Sequence, residues 1–488
     1  MRLSKFFNYY PALLGVIIVT LVVYRLWVMV TSPYTLFADE SYYFGWAQNL
    51  TSGYYSKPPM IAWLIALTTG ICGDGEICIK LGALLIYPLT TIVIFLIGRT
   101  LYDDQIGFWS AVIFYTLPVV FVSSQIISTD VVLIFFWALT FYFFIRALQS
   151  NKNLFWYLAG VSAGMGLLSK YTMVIFLVSV LLYLWSSPEY RHQLARRGVY
   201  ISMIISLVVF APNIIWNIQH GFATVVHTGE ISRLDQGLFH PENLVKFFSG
   251  QMLVFGIILF VFFILALTDL KQGRTDERMR MLALFSVPFL AVISLQAFLA
   301  RAHLNWAAPA YVAASVMAVA YLLNRHRRVW LYASVALNVV LGLAVYHFDS
   351  LATAVGAELS ALNDPYKRVR GWDELGLQVQ KVYEKYPGVT LLGDDRKSLA
   401  QLIYYLRPHP FNAIMWNPRG VRRSQYDLVT DMNKKLGDDF IYITFNSDAG
   451  WVAPHFQSHR HLATIKVPIH KDFQLKYNMY YMRQFKGY

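Results

Sequence analysis

Runs of about twenty apolar residues bury far more readily in a bilayer than in a soluble core, and such runs recur in this chain from Pro11 to Tyr346. Eleven spans are predicted: Pro11 to Val30, Cys78 to Ile97, Ile106 to Val122, Val131 to Leu148, Leu154 to Leu168, Tyr171 to Trp185, Val199 to Trp216, Val245 to Leu267, Met281 to Leu299, a tenth opened by Arg301–Trp306 and ending at Leu323, and Val329 to Tyr346. Lipid offers no partner to a bare N–H or C=O, so spans of this kind must be helices. The expected class is therefore mainly α: a polytopic transmembrane helical bundle of about 11 spans plus juxtamembrane helices. With 57% hydrophobic and 14% charged residues among 488, a soluble protein could not hide its apolar surface. The formal charge of +13 does not call for nucleic acid, because basic residues collect in cytoplasmic loops and beside anionic headgroups.

Sidedness follows from those loops. Arg99, Lys152, Arg191, Arg196, Arg197, Lys271, Arg274, Arg278, Arg280, Arg325, Arg327 and Arg328 fall on one side. The other keeps Lys57, Lys170, Arg233 and Arg301. The positive-inside rule then puts the N-terminus in the cytoplasm, as an uncleaved anchor, and residues beyond Tyr346 outside. This count leaves Met60 to Thr69 out: after Pro58-Pro59 it reaches only roughly 18 Å, short of a ~30 Å hydrocarbon core. The stretch from Ala38 to Trp63 is expected as an external loop on the membrane. Its helix, starting near Glu40, would place Tyr43, Trp46, Ala47 and Leu50 on one apolar face.

From Asp349 to Tyr488 the pattern changes to that of a C-terminal soluble α/β domain, external by the odd span count. Helices are predicted over Trp372 to Tyr386 and Lys397 to Leu406. Strands are predicted over Val389 to Leu392, Phe440 to Phe445, Leu462 to Pro468 and Lys476 to Met482. The domains are thus 1–348 and 349–488. Cys72 and Cys78 admit two readings, a disulfide across a glycine-containing turn or two free thiols.

Charges beside a bilayer are costly unless solvated, paired or used. The external loops hold Asp39, Glu40, Lys57, Asp130, Lys170, His220, His227, Glu230, Arg301 and His303. Each has a bland role. Asp39 and Asp130 could cap helices, Lys57 could reach for headgroups, Arg301 could anchor a helix end, and loop histidines are common. Acids and cations in separate loops of one face point instead to chemistry. Within spans, Arg25 and Lys80 are the nearest ionisable residues, and both are read as close to span ends.

The pattern Asp39-Glu40, aromatic helix, Lys57-Pro58-Pro59 with Trp63 resembles the first periplasmic loop of the polyprenyl-phosphate-sugar glycosyltransferases of type C fold (GT-C), which include the lipid A aminoarabinose transferase and the protein O-mannosyltransferases. Asp130 matches an acid of that family's second external loop. Asn213 to Gly229, Arg301 to Tyr311 and the tail's LLGDDRKSLAQLIYYL and VRRSQYDL resemble a bacterial subgroup. The resemblance implies a glycosyltransferase of the bacterial inner membrane, with a polyprenyl-phosphate-linked sugar as donor, and lipid A or another envelope glycan as acceptor at the periplasmic face. Lys57 and Arg301, with His303, would bind the donor phosphate. Asp39 would be the general base, and Asp130 and Glu40 would orient acceptor or sugar. Tyr55, Lys170, His220 and His227 would line the substrates. No cofactor is assigned and no metal ligand is named. A divalent metal stays open, although this chain has Ser56 where the aminoarabinose transferases carry a Glu. A protein O-glycosyltransferase of the same fold, a lipid-linked-sugar flippase and a non-catalytic assembly subunit are the alternatives.

Overall fold

A computed structural model describes residues 9–150, 152–232, 239–273 and 276–488. Arg233 and Arg274, which entered the sidedness count, lie outside them. The chain divides into two compact units: Met1–Val30, Lys57–Ile61 and Lys80–Phe348 make the first, and Thr31–Ser56, Ala62–Ile79 and Asp349–Tyr488 the second.

The first unit is helical. Six helices are long and apolar enough to cross a membrane: Tyr9–Thr31, Glu76–Leu101, Thr129–Ser150, Arg197–Gln219, Glu277–Leu299 and Arg328–Tyr346. Pro241–Phe255 with Ile257–Lys271 makes a seventh if that bent pair is one span. Tyr171–Ser186 and Ala310–Asn324 are apolar but shorter. Three predicted spans are interrupted, Met281 to Leu299 by a two-residue turn at Phe285-Ser286. Ile106 to Val122 breaks after Tyr115 and resumes at Pro118, because proline lacks an N–H and disfavours helix in the residue before it. Val245 to Leu267 bends by 109°. The bend sits at Gly256, whose φ of +89° suits glycine, and a Cβ there would lie 2.6 Å from Asn338 Oδ1.

Close packing positions the ends of the helices. A Cβ on Gly160 would lie 2.5 Å from the Ser202 carbonyl, and one on Gly164 2.6 Å from Val209 Cβ. This small-xxx-small face lets Asn153–Leu167 press against Arg197–Gln219 and fixes the end from which Lys170 follows. Arg25 is not at a wet span end: it is fully buried, its guanidinium 4.1 Å from the Tyr115 ring centre and 5.0 Å from that of Phe121. Its Nη2 donates 2.8 Å to the Tyr115 carbonyl, an end carbonyl of the broken helix. Lys80 is buried as well.

The second unit holds a five-stranded mixed sheet in the order β2-β1-β3-β5-β4, with β1 Thr390–Gly393, β2 Ile414–Met415, β3 Phe440–Thr444, β4 Phe456–His470 and β5 Phe473–Phe485. β1 pairs in parallel with β2 and β3, while β5 runs antiparallel to β3 and β4. Alternation along the strands feeds two cores. Leu391, Ile441 and Ile443 join Trp372, Leu375 and Leu399 on one face, whereas Leu392, Phe440 and Tyr442 join Trp416 and Phe456 on the other. The unit's longer helices after Asp349 are Trp372–Tyr383 and Arg396–Tyr405, the second capped by Asp395, which accepts from Ser398 N at 2.8 Å. β2 is too short to read from the sequence, and β4 and β5 extend well beyond the apolar stretches that predict them, because a long two-stranded pairing tolerates exposed polar positions.

The first-loop segments fold with this sheet domain. The helix Ala38–Ala47 starts two residues before the predicted Glu40 and is not amphipathic in use. Tyr42 and Phe44 are buried along with Tyr43 and Trp46, while Leu50 lies beyond the helix and is exposed. Its second face is covered by Arg396–Tyr405: Ser41 Oγ donates to Gln401 Oε1 at 2.6 Å, Gln401 Nε2 donates to the Leu36 carbonyl at 2.8 Å, and Leu36 N donates to the Tyr405 hydroxyl at 2.8 Å. Cys72 and Cys78 are joined as a disulfide. Beside it, the Asp74 carbonyl accepts from the Tyr404 hydroxyl.

Candidate functional site

In the first unit the candidate residues converge on Asp130, in the first turn of Thr129–Ser150. Lys170 Nζ donates to its Oδ1 at 2.6 Å, and Asn305 Nδ2 donates to its Oδ2 at 2.7 Å. The carboxylate and the ammonium are only 10% and 15% exposed. Both oxygens of Asp130 are thus engaged by side chains from elsewhere in the chain, beyond what a helix cap would need. Lys170 also lies 5.8 Å from the Trp306 ring centre, and the His303 ring meets the same indole edge-on at 5.1 Å. The turn carrying Lys57 reaches this segment through its backbone, Met60 N donating to the Leu168 carbonyl at 3.1 Å. Arg301 is exposed, with its carbonyl accepting from Gln296 Nε2 at 3.3 Å.

The other predicted residues of this unit stand apart. His220 closes the helix Arg197–Gln219, its Nδ1–H donating to the Trp216 carbonyl at 2.8 Å and its ring stacked on that indole at 4.1 Å. His227 lies 3.9 Å from Glu230 in the next helix.

In the second unit Asp39 does not cap its helix. It lies within the first turn, and its Oδ1 accepts from Arg396 Nη1 at 3.0 Å. With Asp39 41% and Arg396 32% exposed, the carboxylate can still receive another group. The Arg396 guanidinium also lies 4.8 Å from the Tyr42 ring centre. Burial works against the charged guanidinium, but Asp39 and Tyr42 outweigh it and hold the Arg396 pKa above its ordinary value. Glu40 is buried and accepts from Phe37 N at 2.8 Å, closing the helix start as a capping-box glutamate does. Tyr55 is buried too. Its N–H donates to Gln425 Oε1 at 2.7 Å and its hydroxyl to the Arg422 carbonyl at 2.9 Å.

Asn305, Trp306 and Arg396 are the site residues that charge-seeking in the loops missed. All three lie inside stretches singled out for their resemblance, so the signal was present at the level of the segment. Among the described residues no group of three or more His, Cys, Asp or Glu could hold a metal ion. Chemically, the first unit offers a buried carboxylate fixed by an ammonium and an amide. The second offers an open carboxylate steadied by a guanidinium.

Comparison with known proteins places the chain in a family. The profile of the dolichyl-phosphate-mannose-protein mannosyltransferases matches residues 56–216. The lipid A galacturonosyltransferase RgtD of Rhizobium johnstonii is 32% identical over 84% of this chain and 85% of its own. The lipopolysaccharide core galacturonosyltransferase RgtA of the same organism is 25% identical over 41% of each chain. The structure of ArnT from Cupriavidus metallidurans bound to undecaprenyl phosphate superposes with a TM-score of 0.65 at 14% identity, over 95% of this chain and 97% of that one. The fold is therefore that of ArnT, a mainly helical multi-pass membrane protein with a C-terminal mixed-sheet domain. By its identity to RgtD along most of both sequences, this chain belongs to the polyprenyl-phosphate-sugar glycosyltransferases of type C fold.

Proposed function

We propose that this glycosyltransferase moves a uronic acid sugar, galacturonic acid in the first instance, from a polyprenyl phosphate to lipid A or the lipopolysaccharide core. The single observation that carries the reading is the extended similarity to RgtD, whose name gives both sugar and acceptor. The acceptor hydroxyl gives its proton to Asp39 as its oxygen attacks the anomeric carbon. The bond from that carbon to the phosphate oxygen breaks, the phosphate leaves with the electron pair, and one displacement inverts the centre. Lys57 and Arg301, with His303, stabilise the departing phosphate. Asp130, pinned by Lys170 and Asn305, orients the sugar or acceptor. Glu40 and Tyr55 serve by shaping the helix and loop around Asp39, and His220 and His227 line the substrate path.

Mass spectrometry of lipid A, core and protein glycans, from cells with and without the gene, tests this. Loss of a hexuronate increment from lipid A or core is expected. An unchanged lipid A and core beside an altered glycoprotein would replace it with protein O-glycosylation, the reading that the matched mannosyltransferase profile favours second.

The reaction belongs to the periplasmic face of the bacterial inner membrane. Eleven spans from a cytoplasmic N-terminus would make residues 1–348 the membrane domain and residues 349–488 a periplasmic α/β domain. The basic loops Arg191–Arg197 and Arg325–Arg328 support that sidedness. Alkaline phosphatase fused after Tyr346 should be active. Activity only from a cytoplasmic reporter fused there would overturn the topology.

A further inference from the structure

We propose that the loop from Arg419 to Gln425 is the docking surface for the anionic groups of the acceptor glycolipid, an inference that rests on the acceptor reading above. Arg419, Arg422 and Arg423 are all exposed. Among the described residues, none of the three guanidiniums is drawn into an ion pair. The acid nearest in sequence, Asp427, is occupied by the loop itself: its Oδ2 accepts from Arg423 N at 2.9 Å and Ser424 Oγ at 2.8 Å, and its Oδ1 from Asn417 Nδ2 at 3.0 Å.

The same loop is fastened to the first-loop segment by backbone groups and Gln425. Tyr55 binds the Arg422 carbonyl and Gln425 Oε1, and the Tyr42 hydroxyl accepts from Gln425 N. Tyr42 belongs to the helix that carries Asp39, and its ring faces the guanidinium that holds Asp39. A merely solvated basic loop needs no such fastening. Three like charges within five residues of one another repel, and an anion relieves that repulsion. Guanidinium forks match phosphate and carboxylate oxygens in pairs. Lipid A supplies phosphates on a sugar headgroup, and a loop tied to the Asp39 helix would bring that headgroup to the base.

The test uses the full-length protein in detergent with Arg419→Gln, Arg422→Gln and Arg423→Gln combined. The anchors use the carbonyl of Arg422 and the N–H of Arg423, so the melting temperature should not move. With phosphorylated lipid A as acceptor, three lost charge-assisted contacts should raise the acceptor KM by about tenfold or more, with donor KM and kcat within about twofold. The triple Arg→Lys variant should recover part of that loss. With dephosphorylated lipid A, the Gln variant should match the wild type. An acceptor KM unchanged by the variant, or raised equally for both acceptors, would overturn the proposal. So would an unchanged KM accompanied by weaker binding to phosphatidylglycerol vesicles, which would assign the loop to membrane lipid. If the wild type transfers nothing to lipid A, the acceptor reading itself fails and this inference falls with it.

Discussion

Transfer by an Asp39→Asn variant is expected to fall by about 10²–10⁴-fold while the protein stays folded and still binds lipid donor. Asn keeps the shape of the side chain and can still accept from Arg396, but it cannot take the acceptor's proton. The ion pair it weakens is half-exposed, and such pairs contribute about 0.2–1 kcal/mol, so the melting temperature should barely change. Lys57→Ala and Arg301→Ala, read in the same assay with labelled donor, should instead raise the apparent donor KM more than the acceptor KM. Near-normal turnover in Asp39→Asn would reduce Asp39 to a partner of Arg396. Unchanged donor kinetics in both cation variants would remove them from the phosphate.

The Asp130→Ala variant should lose both activity and stability. It strands Lys170, only 15% exposed, beside an amide that has lost its acceptor. Breaking a buried pair from one side typically costs about 3–5 kcal/mol. Replacing both partners, Asp130→Leu with Lys170→Met, removes the stranded charge and should recover most of the stability but none of the transfer. Thermal unfolding and turnover on the three samples separate the two effects. A single variant as stable as wild type would mean that Asp130 and Lys170 are not paired in the folded protein. A double variant that transfers sugar would leave Asp130 a structural residue.

Charges stand out here because the background is so apolar, which is why Asp39, Lys57, Asp130, Lys170 and Arg301 are legible in the sequence. Their partners are not. Asn305 is neutral and Arg396 lies in a domain of ordinary composition, and each meets its carboxylate across a wide gap in sequence. Apolar runs likewise predicted where helices lie but not where they break. Val245 to Leu267 reads as one span on hydropathy, and only the positive φ of Gly256 beside Asn338 divides it. The helix Ala38–Ala47 misled by the opposite route. Its aromatic stripe fits a membrane surface, yet Tyr42 and Phe44 on its other side are buried too, because the Arg396–Tyr405 helix covers them, a partner no local pattern reveals.

That partnership sets an order of events during synthesis. The segments Thr31–Ser56 and Ala62–Ile79 emerge early, but the sheet domain they fold with begins at Asp349. Until the ribosome has passed Gln425, Tyr42, Phe44 and Tyr55 lack all or part of the Arg396–Tyr405 helix and Arg419–Gln425 loop that meet them in the folded protein. The chain therefore carries a patch of unsatisfied aromatic surface through most of its own translation, the condition in which misassembly and chaperone dependence arise. Contacts so distant in sequence form late and slowly. A fragment beginning at Asp349 inherits the mirror-image defect, with Gln401 and Tyr405 deprived of the backbone groups at Leu36 that they hold in the whole protein. A chimera that exchanges the tail between relatives must therefore exchange the first loop with it.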